Sequence, residues 1–234
     1  MRGFLGMIHY EGFKGIKLLT IATFLLCAGF LVGSTRPVCA GMSFEERLGY
    51  LSLWPGGRIP VLISDHFTSD QQRLVIRPAL GMWAGRTQSA IQFSTAAATD
   101  THYLHILTRS EFMKIRGETN PPTCGSWGPQ TNGKTYLWLT APDCINLPSV
   151  FHEIGHAIGL GHEHLRPDRQ CYMTIQACNP DFRENAPVGF FDYFSIMHSQ
   201  PVLNVSTPRS SSVPLPWNTP AGLSNGDIDT VRAL

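Results

Sequence analysis

The sequence predicts an α+β domain over residues 54–234, and three observations carry that expectation. Its elements read in the order strand, helix, several strands, helix, irregular region, helix, which implies a small mixed sheet with a backing helix and a second helix in an N-terminal lobe. Glycine (22) and proline (17) are numerous and dispersed, which argues against long bundled helices. Beyond residue 160 the chain is turn-rich until its last dozen residues, so the C-terminal lobe is irregular apart from a terminal helix.

Trp54-Pro55-Gly56-Gly57 reads as a turn, and residues 58–64 (RIPVLIS) as the first strand. Ser69-Asp70-Gln71-Gln72 has the pattern of a capping box; the helix it opens carries Leu74, Val75, Leu80, Met82 and Trp83, and Pro78 should kink it. Short strands follow near 91–94 and 102–107. Residues 108–133, polar and including Asn120-Pro121-Pro122, read as a loop. Residues 135–140 (TYLWLT) make another strand and 148–160 the strongest helix. In the closing helix, 224–234, Ser224 and Asp227 form a second capping pair.

Residues 1–40 read as a signal peptide. Arg2, Lys14 and Lys17 form a basic lead, 18–32 is apolar and uncharged, and Val38-Cys39-Ala40 offers small residues for cleavage before Gly41. The competing reading is an uncleaved anchor, so a membrane is a partner only if that segment is retained. Residues 41–53 are then a short N-terminal segment, and the protein is expected to be secreted and monomeric. Cys27 and Cys39 fall within 1–40, which leaves Cys124, Cys144, Cys171 and Cys178. In an oxidising compartment the economical pairing is Cys124 with Cys144 and Cys171 with Cys178, one of three connectivities. A net charge of +1 with dispersed Lys and Arg leaves no electrostatic footprint for nucleic acid.

The chemistry is concentrated in Phe151-His152-Glu153-Ile154-Gly155-His156-Ala157-Ile158-Gly159-Leu160-Gly161-His162. His152 and His156, four apart on a helix, project from one face and can hold two corners of a tetrahedron. Gly159 and Gly161 permit backbone conformations closed to other residues, so the chain can turn back and bring His162 to the same metal. Three neutral imidazoles suit one catalytic Zn2+ with a fourth position left for water. Glu153 can reach that water without ligating and serve as catalytic base in peptide-bond hydrolysis. The plainer alternatives are an amphipathic helix with surface histidines or a structural metal site, and neither needs Glu153.

The extended histidine motif resembles the metzincin clan, and its continuation Glu163-His164-Leu165-Arg166-Pro167-Asp168-Arg169 is similar to the signature of the astacin family of zinc metallopeptidases. The likeness extends to Trp54-Pro55-Gly56-Gly57-Arg58-Ile59-Pro60, Cys124-Gly125-Ser126-Trp127-Gly128, Ser195-Ile196-Met197-His198 and the chain end, so it spans 54–234. The resemblance implies a metzincin-like catalytic domain, a secreted zinc endopeptidase acting on protein or peptide substrates, and Met197 as an apolar floor beneath the imidazoles. It also implies that residues 136–139 rim the cleft, where an extended substrate adds as a further strand, and that Glu163 contacts the mature N-terminus. His164 and His198 are implied as neighbours of the ligands. Several positions depart from the pattern: Ser199 stands where the family carries a metal-binding, transition-state-stabilising tyrosine, Ala90 where a second disulfide begins, and Gln170 where an aspartate closes the signature. Tyr193 is a candidate substitute for that tyrosine, or a packing residue. The segment 41–53 is too short for a folded inhibitory prodomain. The alternative function is a catalytically impaired zinc-binding protein that binds extended peptides.

Overall fold

The computed structural model describes residues 54–130, 133–166, 169, 172–175, 191–198, 206–208 and 222–233. The expected signal peptide, the segment 41–53, Ser199, Gln170 and the Cys171 and Cys178 pair lie outside the described residues.

Five strands form one mixed sheet in the order β2-β1-β3-β5-β4. β1 (Arg58–Ile63) runs parallel to β2 (Gln92–Thr95) and β3 (Tyr103–Thr108), and β3 runs parallel to β5 (Lys134–Leu139). β4 (Gly125–Ser126) is the antiparallel edge, with Gly125 opposite Trp138 and Ser126 opposite Leu137. The period-two alternation sorts side chains between two cores. Leu104, Ile106, Leu137 and Leu139 pack with Ile76, Ala79, Trp83, Val150, Phe151 and Ile154, whereas Leu107, Tyr136 and Trp138 pack around Phe112.

The helix at 69–86, α1, begins one residue earlier in its capping than expected. Thr68, not Ser69, is the N-cap: its side chain accepts from Gln71 N while the Gln71 side chain accepts from Thr68 N. The kink expected at Pro78 is replaced by a wide π turn over Gln72–Ile76, after which Arg77–Arg86 is regular α-helix. Arg77 N donates to Gln72 O, so the ladder has already slipped by one residue where Pro78 supplies no N–H.

Residues 108–133 are not wholly a loop. They contain α2 (Arg109–Arg116) as well as β4. Thr108 and Glu111 make a full capping box, and Gly117 ends the helix at φ 71°. Phe112 alone is buried on α2; it stacks on Trp138 at 4.0 Å and meets Trp127 and Tyr136 edge-on. A methyl group at Gly125 would overlap the Trp138 indole, which Phe112 holds from beyond. Gly125→Ala is therefore expected to lower stability by about 1–3 kcal/mol, read from the midpoint of urea unfolding.

Placing β4 corrects the expectation that residues 136–139 rim the cleft: β5 is paired on both sides, by β3 and by β4, so β4 is the outer strand. The expected Cys124–Cys144 disulfide is present and ties the entry to β4 to the turn before the next helix. That helix, α3 (Leu147–Ile158), is the strongest one of the sequence reading. Further on, β6 (Met173–Ile175) pairs antiparallel with β7 (Ser206–Pro208), a small ladder in a region expected to be irregular. The chain closes in α4 (Asn225–Ala233), where Ser224 and Asp227 make the expected reciprocal cap.

Candidate metal centre

Asn146 caps α3 by accepting from Ser149 N, and Pro148 occupies the first turn, where its missing N–H is no loss. Val150, Phe151, Ile154, Ala157 and Ile158 bury one side of the helix, which turns His152 and His156 together onto the half-buried flank. Two indoles hold the helix from below: Trp83 Nε1 donates to Phe151 O (3.2 Å) and Trp54 Nε1 to Ala157 O (2.9 Å). The second bond satisfies a carbonyl that the helix end would leave orphaned.

The helix stops at Gly159, whose φ of 112° is closed to side-chain-bearing residues; Gly161, also expected to take a special conformation, has no positive φ. From there the chain returns and brings His162 to the other two imidazoles. The three Nε2 atoms are mutually close: 3.1 Å between His152 and His156, 3.2 Å between His156 and His162, and 3.3 Å between His152 and His162. His152 Nδ1 donates to Ile196 O (2.7 Å) and His156 Nδ1 donates to Leu160 O (2.8 Å). In a neutral ring bonded in this way Nε2 is an acceptor only, so two such nitrogens cannot hydrogen-bond each other. Burial, reinforced by His162 and opposed by the Ile196 carbonyl, pushes His152 down to about 4, so that ring is neutral at ordinary pH.

This arrangement suits a cation. An ion with nitrogen ligands at about 2.0–2.1 Å in a tetrahedron sets its ligand atoms about 3.3 Å apart, the spacing these three nitrogens already have. The three histidines are the one group of three or more potential ligands that converge among the described residues. His102 and His105 go to separate surroundings: His102 stacks on Trp54 and His105 lies near Tyr103 and Tyr136.

Glu153 is 8% exposed beside the first histidine, and burial pushes its carboxyl up to about 8. A cation held by the histidines would draw it back down. Met197 lies under the helix, its Sδ filling the space a side chain at Gly155 would need. His164 and His198 are buried nearby: the His162 and His164 ring centres are 5.0 Å apart, and His198 Nε2 donates to Asp192 O (2.9 Å). Glu163 accepts from Arg166 Nη1 (2.9 Å) and Asp192 N (2.7 Å) through the same oxygen. Burial still raises its carboxyl to about 7, with Arg166 acting against the shift. The hydroxyl of Tyr193 donates to Tyr172 O (2.8 Å), and its ring meets Phe191, which fits the packing role better than that of a substitute for the missing tyrosine.

Sequence reasoning does not single out Asn146, Trp54 or Asp227 as supports of this centre. Asn146 is readable as a cap before Pro148, but nothing local in the sequence pairs an indole at residue 54 with a carbonyl at 157.

The family model of the Astacin peptidases matches residues 48–213. Zinc metalloproteinase nas-8 of Caenorhabditis elegans is 32% identical over 157 residues, covering 62% of this chain and 35% of that protein. Zinc metalloproteinase nas-2 of the same organism is 30% identical over 194 residues, covering 78% and 60%, and Tolloid-like protein 1 of Mus musculus is 33% identical over 151 residues, covering 64% and 12%. The chain thus spans between an eighth and three fifths of the length of these relatives. Among solved structures, High choriolytic enzyme 1, a hatching enzyme zinc-protease of Oryzias latipes, superposes with a TM-score of 0.58 at 22% identity, covering 75% of this chain and 88% of that one, so the two share a fold. With a family match across most of its length and a shared fold, this chain belongs to the astacin family of peptidases.

Proposed function

We propose that the protein is a secreted, zinc-dependent endopeptidase in which His152, His156 and His162 hold one catalytic zinc ion and Glu153 is the general base. The observation that carries this reading is the convergence of three imidazole Nε2 atoms at 3.1–3.3 Å with a buried carboxyl adjoining the first of them. Bound zinc supplies Lewis acidity, which makes a water nucleophilic near neutral pH and polarises the scissile carbonyl. The carboxylate of Glu153 takes the proton of the attacking water and returns it to the departing amine nitrogen. The bonds from His152 and His156 to Ile196 O and Leu160 O fix both tautomers before substrate arrives.

Substrate recognition on this reading uses the edge of β4. Trp127 N bonds to Tyr136 O, so the antiparallel alternation leaves the N–H and C=O of Ser126 turned away from β5, available to an extended peptide. Pro129, just beyond β4, adjoins Gly159 at the end of α3, which supports this reading. Secretion is supported by the sequence pattern of residues 1–40 and by the Cys124–Cys144 disulfide, a bond that persists in oxidising compartments.

A second reading, a zinc-binding protein that grips extended peptides with impaired turnover, is favoured by Ser199 in place of the family's tyrosine. Casein cleavage separates the two. The purified protein should cleave it, lose that activity to a chelator and recover it with added Zn2+; zinc-loaded protein that binds casein without cleaving it would establish the second reading instead.

A further inference from the structure

The buried supports of the centre converge on one residue far from it in sequence. Asp227 lies at the start of α4, is 3% exposed, and does more than cap its helix. The cap alone needs the exchange with Ser224: Ser224 N donates to Asp227 Oδ2 (2.9 Å) and Asp227 N to Ser224 Oγ (2.9 Å). In addition Asp227 Oδ1 accepts from Ser195 Oγ, and Oδ2 accepts from Ile196 N (3.0 Å). Ser195 Oγ in turn accepts from Met197 N (3.0 Å). Through these bonds one carboxylate fixes three successive residues of the 195–198 turn.

That turn contacts the candidate ligands at two points. Ile196, whose N–H is held by Asp227, gives its C=O to His152 Nδ1 at 2.7 Å. Met197, whose N–H is held through Ser195, gives its C=O to Glu163 N at 3.1 Å, the residue directly after His162. Its thioether also lies against Gly155, between His152 and His156. The turn therefore touches the first ligand, the backbone beside the third and the helix between the first two, and its own position is set by Asp227.

We propose that Asp227 is a positioning residue for the metal centre, setting the orientation of the His152 imidazole and the place of His162 by way of residues 195–197. This rests on the reading that His152, His156 and His162 bind zinc. A capping carboxylate acting only on its helix would be replaceable at a price in stability alone. A positioning carboxylate also sets the metal affinity, because ring orientation decides whether three lone pairs meet at one point.

The test is zinc affinity of the full chain, measured by competition with a chromophoric chelator well below the unfolding temperature, together with the visible spectrum of the Co2+ form. Asp227→Ala should weaken zinc binding about tenfold and alter the Co2+ bands. Asp227→Asn, which keeps an acceptor oxygen for Ile196 N and Ser224 N, should recover much of the affinity. Val231→Ala, which loosens the buried packing of the same helix without removing a hydrogen bond, should lower the melting temperature and leave zinc affinity and the Co2+ spectrum unchanged. If Asp227→Ala does not fold, Ser195→Ala serves in its place: it cuts the link from Asp227 through Ser195 to Met197 N and leaves the Ile196 N bond and the cap, so it should weaken zinc binding in the same direction by a smaller factor. Wild-type affinity and an unchanged spectrum in Asp227→Ala, or in Ser195→Ala where that is the variant measured, overturn the proposal. A wild-type protein that takes up no zinc would instead overturn the reading of the three histidines.

Discussion

Glu153→Gln is expected to reduce peptide turnover by about 10²–10⁴-fold while leaving zinc content and affinity for substrate essentially unchanged. Glutamine matches glutamate in shape but cannot take a proton from water, so it removes the proposed general base and keeps the packing around it. The fold should not suffer. Burial raises Glu153 from an ordinary 4.5 to about 8 in the metal-free protein. A carboxyl shifted in that direction stabilises the fold fully below its ordinary value, and that contribution is lost as pH rises through about 8. At pH 8 and above, the metal-free glutamine variant should therefore resist urea at least as well as wild type, since it has no charge to bury. The decisive measurement is the rate on a quenched peptide, with zinc stoichiometry measured on the same sample. Turnover within about tenfold of wild type would remove Glu153 from the role of base.

The distribution of what could be read in the sequence follows from how local each determinant is. His152, His156 and Gly159 lie within one helix and its end, where periodicity and a single special φ decide the outcome, so the centre was legible without its fold. The Ser224 and Asp227 cap was legible for the same reason. α2 could have been found as well: Thr108, Glu111 and Gly117 are its cap and stop, but its one buried side chain, Phe112, gives no repeating apolar signal across eight residues. β4 had no local signal at all. Two residues become a strand there because β5 offers an open edge and Gly125 lets the backbone approach Trp138. The same is true of the bonds from Asp227 to Ser195 and Ile196, which join residues more than thirty apart and depend on where the whole chain has gone.

His162→Ala is the substitution expected to release zinc most completely at the smallest loss of surrounding structure. His152 and His156 are built into α3, but His162 reaches the centre from a turn outside the helix, so its removal leaves the helix and its buried face untouched. Structural zinc contributes about 10–16 kcal/mol over four ligands, so one ligand is worth about 2.5–4 kcal/mol, and its loss should weaken binding by about 10²–10³-fold. Equilibrium dialysis against a zinc chelator measures this, and the protease assay on the same samples should follow the zinc content. Gly159→Ala tests how His162 is delivered. An alanine is strained at φ 112°, and relief of that strain must move the segment that carries His162, so zinc affinity should fall in the same direction by a smaller factor. His162→Ala with wild-type zinc affinity would rule it out as the third ligand. Gly159→Ala with wild-type affinity would show that the turn can present His162 from another backbone conformation, and the link from glycine to metal would then be one of convenience in folding and not a requirement of the site.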